Sequence, residues 1–167
     1  MSTLVKTHGS VSLLAAALTL FFGTLNAVRA DEGHAHPEKG PRGGALVELG
    51  EEEFHAEVLH DHDSHTVTIF LLDGSARRPV GIDSREVLVN IRIGRKAKQF
   101  KVAAAPQKGD RAGYSTRFAA RSEELCHMLD EHEADARLNV RIAGRGYSGK
   151  IPHVHDHDHD HEHDHKH

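Results

Sequence analysis

The chain is almost without sulfur: one cysteine, Cys126, and two methionines, Met1 and Met128, among 167 residues. A single cysteine forms no intramolecular disulfide, even where the compartment would permit one. Cu⁺ carriers favour thiolate and thioether ligands, so a dedicated Cu⁺ site is not expected either. Aromatic residues are few, and no stripe rich in arginine or lysine carries them, which removes nucleic acid as a partner. No apolar run reaches the roughly 20 residues that a membrane-spanning helix needs. Neither G-x-S-x-G nor a phosphate loop occurs, and the carboxylate spacing of an EF-hand is missing. Enzymatic chemistry and an oxygen-only Ca²⁺ cage are therefore not expected.

What the chain has instead is histidine, 17 in all, on a background net charge of −4 with histidine neutral. Protonation below about pH 6.5 would reverse the sign of the whole molecule. Eight of the histidines fall in the last segment, "HVHDHDHDHEHDHKH". In an extended chain, residues two apart point to the same side. His153, His155, His157, His159, His161, His163, His165 and His167 then form one imidazole edge, and Asp156, Asp158, Asp160, Glu162 and Asp164 the other. Neutral imidazole is the commonest side-chain ligand for divalent transition metals, with carboxylate a tolerated second ligand. Several overlapping, exchangeable sites for Zn²⁺, Cu²⁺, Ni²⁺ or Co²⁺ are expected, failing as protons compete for the imidazoles. A solubilising polyampholyte that binds metal incidentally is the alternative.

The other end reads as an address. Lys6 supplies a positive start, "VSLLAAALTLFFGTL" an apolar stretch, and Val28 and Ala30 the small residues of a cleavage site. The expectation is a signal peptide over 1–30, cut after Ala30, with no lipid anchor and no stable membrane insertion afterwards. The mature chain would be periplasmic or secreted. The segment 31–44, "DEGHAHPEKGPRGG", carries His34 and His36 and is too rich in Gly, Pro and charge to bury apolar surface, so a flexible arm is expected. A domain over 45–152 follows, then the tail over 153–167.

Within the domain, "ALVEL", "FHAEVLH", "HTVTIFLL", "RPVGI", "EVLVNIRIG", "AKQFKVAA", "YSTRFAA", "ARLNVRIAG" and "YSGKI" read as short strands or parts of them. Val87, Val89, Ile91 and Ile93 share one face, the alternation of an antiparallel sheet with one wet side. "SEELCHMLDEHE" is the single helical segment, with Ser122 at the N-cap and two glutamates in the first turn. Seven or eight strands and one inserted helix predict a mainly β fold, an antiparallel β-sandwich of Greek-key, immunoglobulin-like type.

A second histidine cluster lies at the expected tip of the first hairpin: His60, Asp61, His62, Asp63 and His65. Histidines at such spacing on a turn can converge on one cation, an aspartate completing the shell; a polar loop that happens to hold histidines is the alternative. His55 and Glu57 share what should be the wet face of the same strand, as an extension of that site or as solvated surface. His127 and His132 flank the helix, and Cys126 and His127, being adjacent, should diverge.

The stretch Pro41–Ile82, "PRGGALVELGEEEFHAEVLHD…HTVTIFLLDGSARRPVGI", resembles a group of small exported bacterial proteins with a P-H-G-G segment, then Tyr or Phe followed by H-x-E, then a strand ending in L-D. Similar segments accompany heavy-metal efflux adaptors and copper-resistance-type β-sandwich proteins. The resemblance implies a β-sandwich and metal handling. Phe54, His55 and Glu57 match its pattern, whereas Arg42 stands where the pattern has histidine. Together these features predict an exported protein that buffers or sequesters divalent transition metal or hands it to an efflux or uptake system. The alternatives are an interaction module recognising an efflux component or metal transporter, a pH-responsive surface protein, and a small exported metalloenzyme such as a copper-zinc dismutase. The last would need histidines on several strands, and the strands after Leu72 carry none.

Overall fold

The computed structural model describes residues 39–153. The expected signal peptide, His34 and His36, and the tail beyond His153 lie outside the described residues. Eight strands and one helix follow in the order β1 (Ala45–Leu49), β2 (Phe54–Asp61), β3 (Thr66–Asp73), β4 (Glu86–Ile93), β5 (Lys96–Ala104), β6 (Arg117–Arg121), α1 (Glu123–Asp130), β7 (Asp135–Ile142) and β8 (Arg145–Lys150). The fold is mainly antiparallel β with one short helix, as the alternation and turn signals predict. Among the described residues no helix is long and apolar enough to cross a membrane.

Two expected elements differ. "RPVGI" forms no strand and makes only isolated bridges, Leu72 to Pro79 and Ile82 to Ser115; proline has no N–H with which to continue a ladder. The helix stops at Asp130, with Glu131 extended, instead of running on through Glu133. Its start is where the cap predicts, the Ser122 hydroxyl accepting the Leu125 N–H at 3.2 Å.

All strands belong to one sheet, in the spatial order β1-β2-β3-β6-β5-β4-β7-β8. Strands β4, β5 and β6 follow one another, and β7 returns past β6 and β5 to lie beside β4, which is the Greek-key arrangement. The layers expected of a sandwich are thus parts of one continuous sheet that nearly closes. Its edges meet at Gly149 of β8, which lies so close to the Glu48 carbonyl and the Val47 side chain of β1 that a Cβ there would collide with both. The thinnest join is between β5 and β6, where only Ala103–Ala119 and Ala104–Phe118 are paired.

Alternation sends Val87, Val89 and Ile91 of β4 inward and leaves Glu86 and Arg92 outside. They meet Val47, Ala56, Ile69, Phe118 and Leu138 in one core. The helix closes an end of that core with Leu125, Cys126 and Leu129. Burial, followed by the negative charges of Asp130 and Asp61, raises the Cys126 thiol above its ordinary value, so at neutral pH it is a protonated, apolar plug.

Two aspartates hold the loops that join this sheet. Asp73 accepts from the Ser75 hydroxyl and the Arg78 guanidinium, and these bonds hold its carboxyl well below the usual range. Asp110 accepts from the backbone of Gln107 and Thr116 and from the Thr116 hydroxyl, and is lowered for that reason. A carboxylate depressed in the folded state contributes stability above its unfolded pKa, about 3.9, and loses it as pH falls toward the folded value. Without metal, the melting temperature should therefore fall steeply between pH 4 and pH 2. Asp73→Asn combined with Asp110→Asn should lower it at pH 7 and flatten that fall; an unchanged slope in the double variant would sink the assignment.

Candidate metal centre

Strand β2 fixes the site. Ala56 and Val58 of β2 point into the core, and the same parity carries on to His60 and His62, past the point where the core ends. The sheet leaves these two exposed at the hairpin tip, where helix α1 arrives with its last residue, Asp130. The Asp130 carboxylate lies between the rings, Oδ1 at 3.0 Å from His60 Nε2 and Oδ2 at 3.5 Å from His62 Nδ1. The rings meet edge to face with centroids 4.8 Å apart. One ligand atom from each of the three residues lies within 4.8 Å of the others. Ligand atoms around a tetrahedral Zn²⁺ stand about 3.3 Å apart, given bonds near 2.0 Å, so small side-chain rotations would gather these on one ion. The group His60–His62–Asp130 could hold a metal ion.

The helix reaches the tip because its start is tied there. Thr66 of β3 pairs with Arg121 of β6, and the Ser122 N–H donates to the His65 carbonyl at 2.8 Å. An acid at the last position of a helix faces the negative end of the macrodipole; two imidazoles, or a cation between them, offset that cost.

The expectation of converging hairpin histidines is met by His60 and His62 only. His65 stands outside the group: it takes φ 52 in the turn, and its carbonyl is committed to Ser122. The aspartate that completes the set is Asp130, not Asp61 or Asp63. Asp61 instead accepts the Ser64 N–H at 3.0 Å, closing the turn, and this bond lowers its carboxyl. Asp130 is far from the hairpin in sequence, and the one signal that marks it is an acid at the unfavourable end of a helix.

His55 and Glu57 are not on a wet face. Glu57 has no exposed surface, because residues 39–44 fold back across it, and His55 has almost none. The part of the expected flexible arm that falls in this range is a tight turn: Gly40 N–H donates to the Gly44 carbonyl at 2.8 Å, and Lys39 bridges to Ala45. Glu57 holds it. Its carboxylate accepts the Arg42 and Gly44 N–H groups and the Arg42 guanidinium, the last at 2.9 Å. The same guanidinium lies over the Phe70 ring, 3.9 Å from its centroid, on the residue paired with Glu57 across the sheet. Gly40 has to be glycine here, since a Cβ would run into the Glu57 side chain. His55 donates from Nδ1 to the Asp73 carbonyl at 3.2 Å and lies outside the metal group. Arg42, where the resembling pattern has histidine, is thus the counter-ion of a buried glutamate.

The turn builds one wall of a groove of about 440 Å³. Arg42, Gly43 and Gly44 line one side, His60, His62 and Asp130 another, and Ile151, Pro152 and His153 a third. His153 is the one tail histidine among the described residues. It donates from Nε2 to the Ala134 carbonyl at 3.0 Å, which leaves Nδ1 as the basic nitrogen. His127 points away beside Glu131, at 3.4 Å, diverging from buried Cys126, and the His132 ring stands 6.3 Å from that of His153.

Compared with family models, curated proteins and solved structures, the chain matches none.

Glu57 is fully buried but Arg42 is partly exposed, and the N–H groups of residues 42 and 44 stay on Glu57 when the guanidinium is removed. Arg42→Ala should therefore destabilise the domain by about 2 kcal/mol, the scale of one lost hydrogen bond to a charged group, in urea unfolding. Glu57→Gln should cost less, because glutamine keeps an acceptor for the backbone N–H groups. Adding Glu57→Gln to Arg42→Ala should recover part of the loss; strictly additive losses would show that the pair is not coupled.

Proposed function

We propose that this is an exported protein that binds divalent transition metal, holding one ion at His60, His62 and Asp130 and further ions on its His-Asp tail. The observation that carries the reading is the convergence of two imidazoles and a carboxylate from separate elements on one point. Sequence spacing alone would not bring Asp130 there. Imidazole with carboxylate suits Zn²⁺, Cu²⁺, Ni²⁺ or Co²⁺, and the scarcity of sulfur speaks against Cu⁺. The resemblance to small exported proteins that accompany heavy-metal efflux and copper-resistance systems points the same way. In this reading the protein buffers or sequesters metal and passes it to a transporter or efflux adaptor. Weak overlapping tail sites suit capture and hand-over, because an ion can move between neighbouring ligands without full release.

The test is a calorimetric titration with Zn²⁺, Cu²⁺ and Ni²⁺ at pH 7 of a chain shortened to end at His153. One equivalent should bind. His60→Ala with His62→Ala should abolish that binding, and Asp130→Asn should weaken it by about tenfold or more, the scale seen when a group supporting a metal site is lost. The same titration at pH 5.5 should show weaker binding, because protons compete with the metal for imidazole nitrogens. A shortened chain that binds nothing at pH 7 would leave the tail as the sole metal ligand and refute the structured site.

A further inference from the structure

We propose that the outer face of the β7–β8 hairpin binds a phosphate group, held between Arg137 and Lys150 with Asn139 and Ser148 as neutral donors. None of these residues lines the groove of the metal centre, so the inference stands apart from the metal reading.

The strand register brings the donors together. Alternation buries Ala136, Leu138, Val140 and Ile142 of β7 and Tyr147 and Gly149 of β8. The residues between them face outward, and pairing sets Arg137 opposite Lys150, Asn139 opposite Ser148 and Arg141 opposite Gly146. This face therefore carries two guanidiniums, an ammonium, an amide and a hydroxyl. Its one carboxylate, Asp135 at the start of β7, is bound to Arg92 at 2.8 Å. That carboxyl is held low chiefly by the Arg92 bond and further by the charges of Arg137 and Lys150, so one acid faces three cations. On the neighbouring β4, Glu86 is paired with Lys101 at 2.9 Å. Arg141 donates to the Gly144 carbonyl at 3.3 Å. Among the described residues no carboxylate forms an ion pair with Arg137, Arg141 or Lys150.

Two features of this face call for an acceptor. Like charges directly opposite one another in an antiparallel pair repel, and an anion between Arg137 and Lys150 would draw both toward itself. Beside them Asn139 Nδ2 is buried without an acceptor, the one such side-chain atom among the described residues, and a donor left so costs stability. Asn139, Arg141 and Ser148 line a depression of about 460 Å³. Exposed Arg137 and Arg141 flank Asn139 along the strand, and their movement onto a ligand would uncover the amide. The donors stand on two rungs of the ladder about 7 Å apart and on both strands. A carboxylate has two oxygens, which one guanidinium can fill. A phosphate has more oxygens, and side chains of these types are its usual partners.

The experiment follows amide resonances of the metal-free full chain while inorganic phosphate replaces chloride at constant ionic strength and pH 7.5. Backbone amides of 137–141 and 146–150 and the Asn139 side-chain amide should shift together and saturate. Arg137→Gln with Lys150→Gln should weaken this binding about tenfold or more, the scale of lost charge-assisted bonds. Freed of the repulsion, that variant should melt no lower than the unaltered chain without phosphate, which shows that it is folded. Arg95→Gln with Lys96→Gln removes the same charge from exposed positions at the β4–β5 turn and should leave binding within about twofold. Acetate should give no saturable shift. Vesicles of phosphatidylglycerol separate the sources of the phosphate. Binding to them through Arg137 and Lys150 marks a lipid headgroup as the ligand, and indifference to them marks a soluble phosphate. A response that acetate matches, or that the Arg95→Gln, Lys96→Gln variant loses to the same extent, is net charge alone and overturns the inference. So does a phosphate titration without saturation, whatever the vesicles do.

Discussion

A carboxylate with no exposed surface, in the middle of a strand, is the constraint around which one side of this molecule is arranged. Glu57 sits in β2 with its charge out of water, and such a charge persists only when paired and hydrogen-bonded. Arg42 and the N–H groups of residues 42 and 44 supply both. Meeting that demand draws the segment before β1 across Glu57 on the outer face of β2 and sets Arg42 on Phe70. The turn so formed is also a wall of the groove beside His60 and His62. The pair therefore shapes the groove beside His60, His62 and Asp130.

The centre itself follows from strand pairing. The register that sets Thr66 opposite Arg121 delivers the chain to Ser122 at the hairpin tip, and the His65 carbonyl holds Ser122 there. The helix that begins at this cap buries Leu125, Cys126 and Leu129. That burial fixes its rotation, so its last residue comes down between two imidazoles. No loop has to be ordered to make the site. Its ligands stand on a strand, its turn and a helix end, which keeps the cost of gathering them low.

Much of the fold was legible because period-two alternation is unambiguous in stretches such as "VLVNIRI" and because Ser122 is a strong cap. "RPVGI" misled because its apolar content suggests a strand while Pro79 cannot sustain one. The metal binding expected of the tail rests on composition alone, since ligand density and not folding would carry it. The folded site was only half legible. His60 and His62 share a parity that sequence shows, but Asp130 joins them through the β3–β6 pairing, a non-local contact that leaves no spacing signature. His55 and Glu57 were misplaced for a related reason. Alternation says which face a residue takes and does not say what later covers that face, and the turn that covers Glu57 lies in a segment whose composition resembles that of a linker.

The near-closure of the sheet gives the groove a mechanical meaning. The two edge strands, β1 and β8, meet at Gly149 by close backbone approach and share no strand pairing, while at the β5–β6 join only two residue pairs hold the ladder. The sheet is thus two leaves, β1-β2-β3-β6 and β5-β4-β7-β8, joined by a short ladder on one side and unlaced at the opposite margin. Ala45 of β1 and Ile151 just after β8 both line the groove, which therefore lies along that margin. Parting of the leaves would widen the groove at that margin, and amides along β1 and β8 would register it.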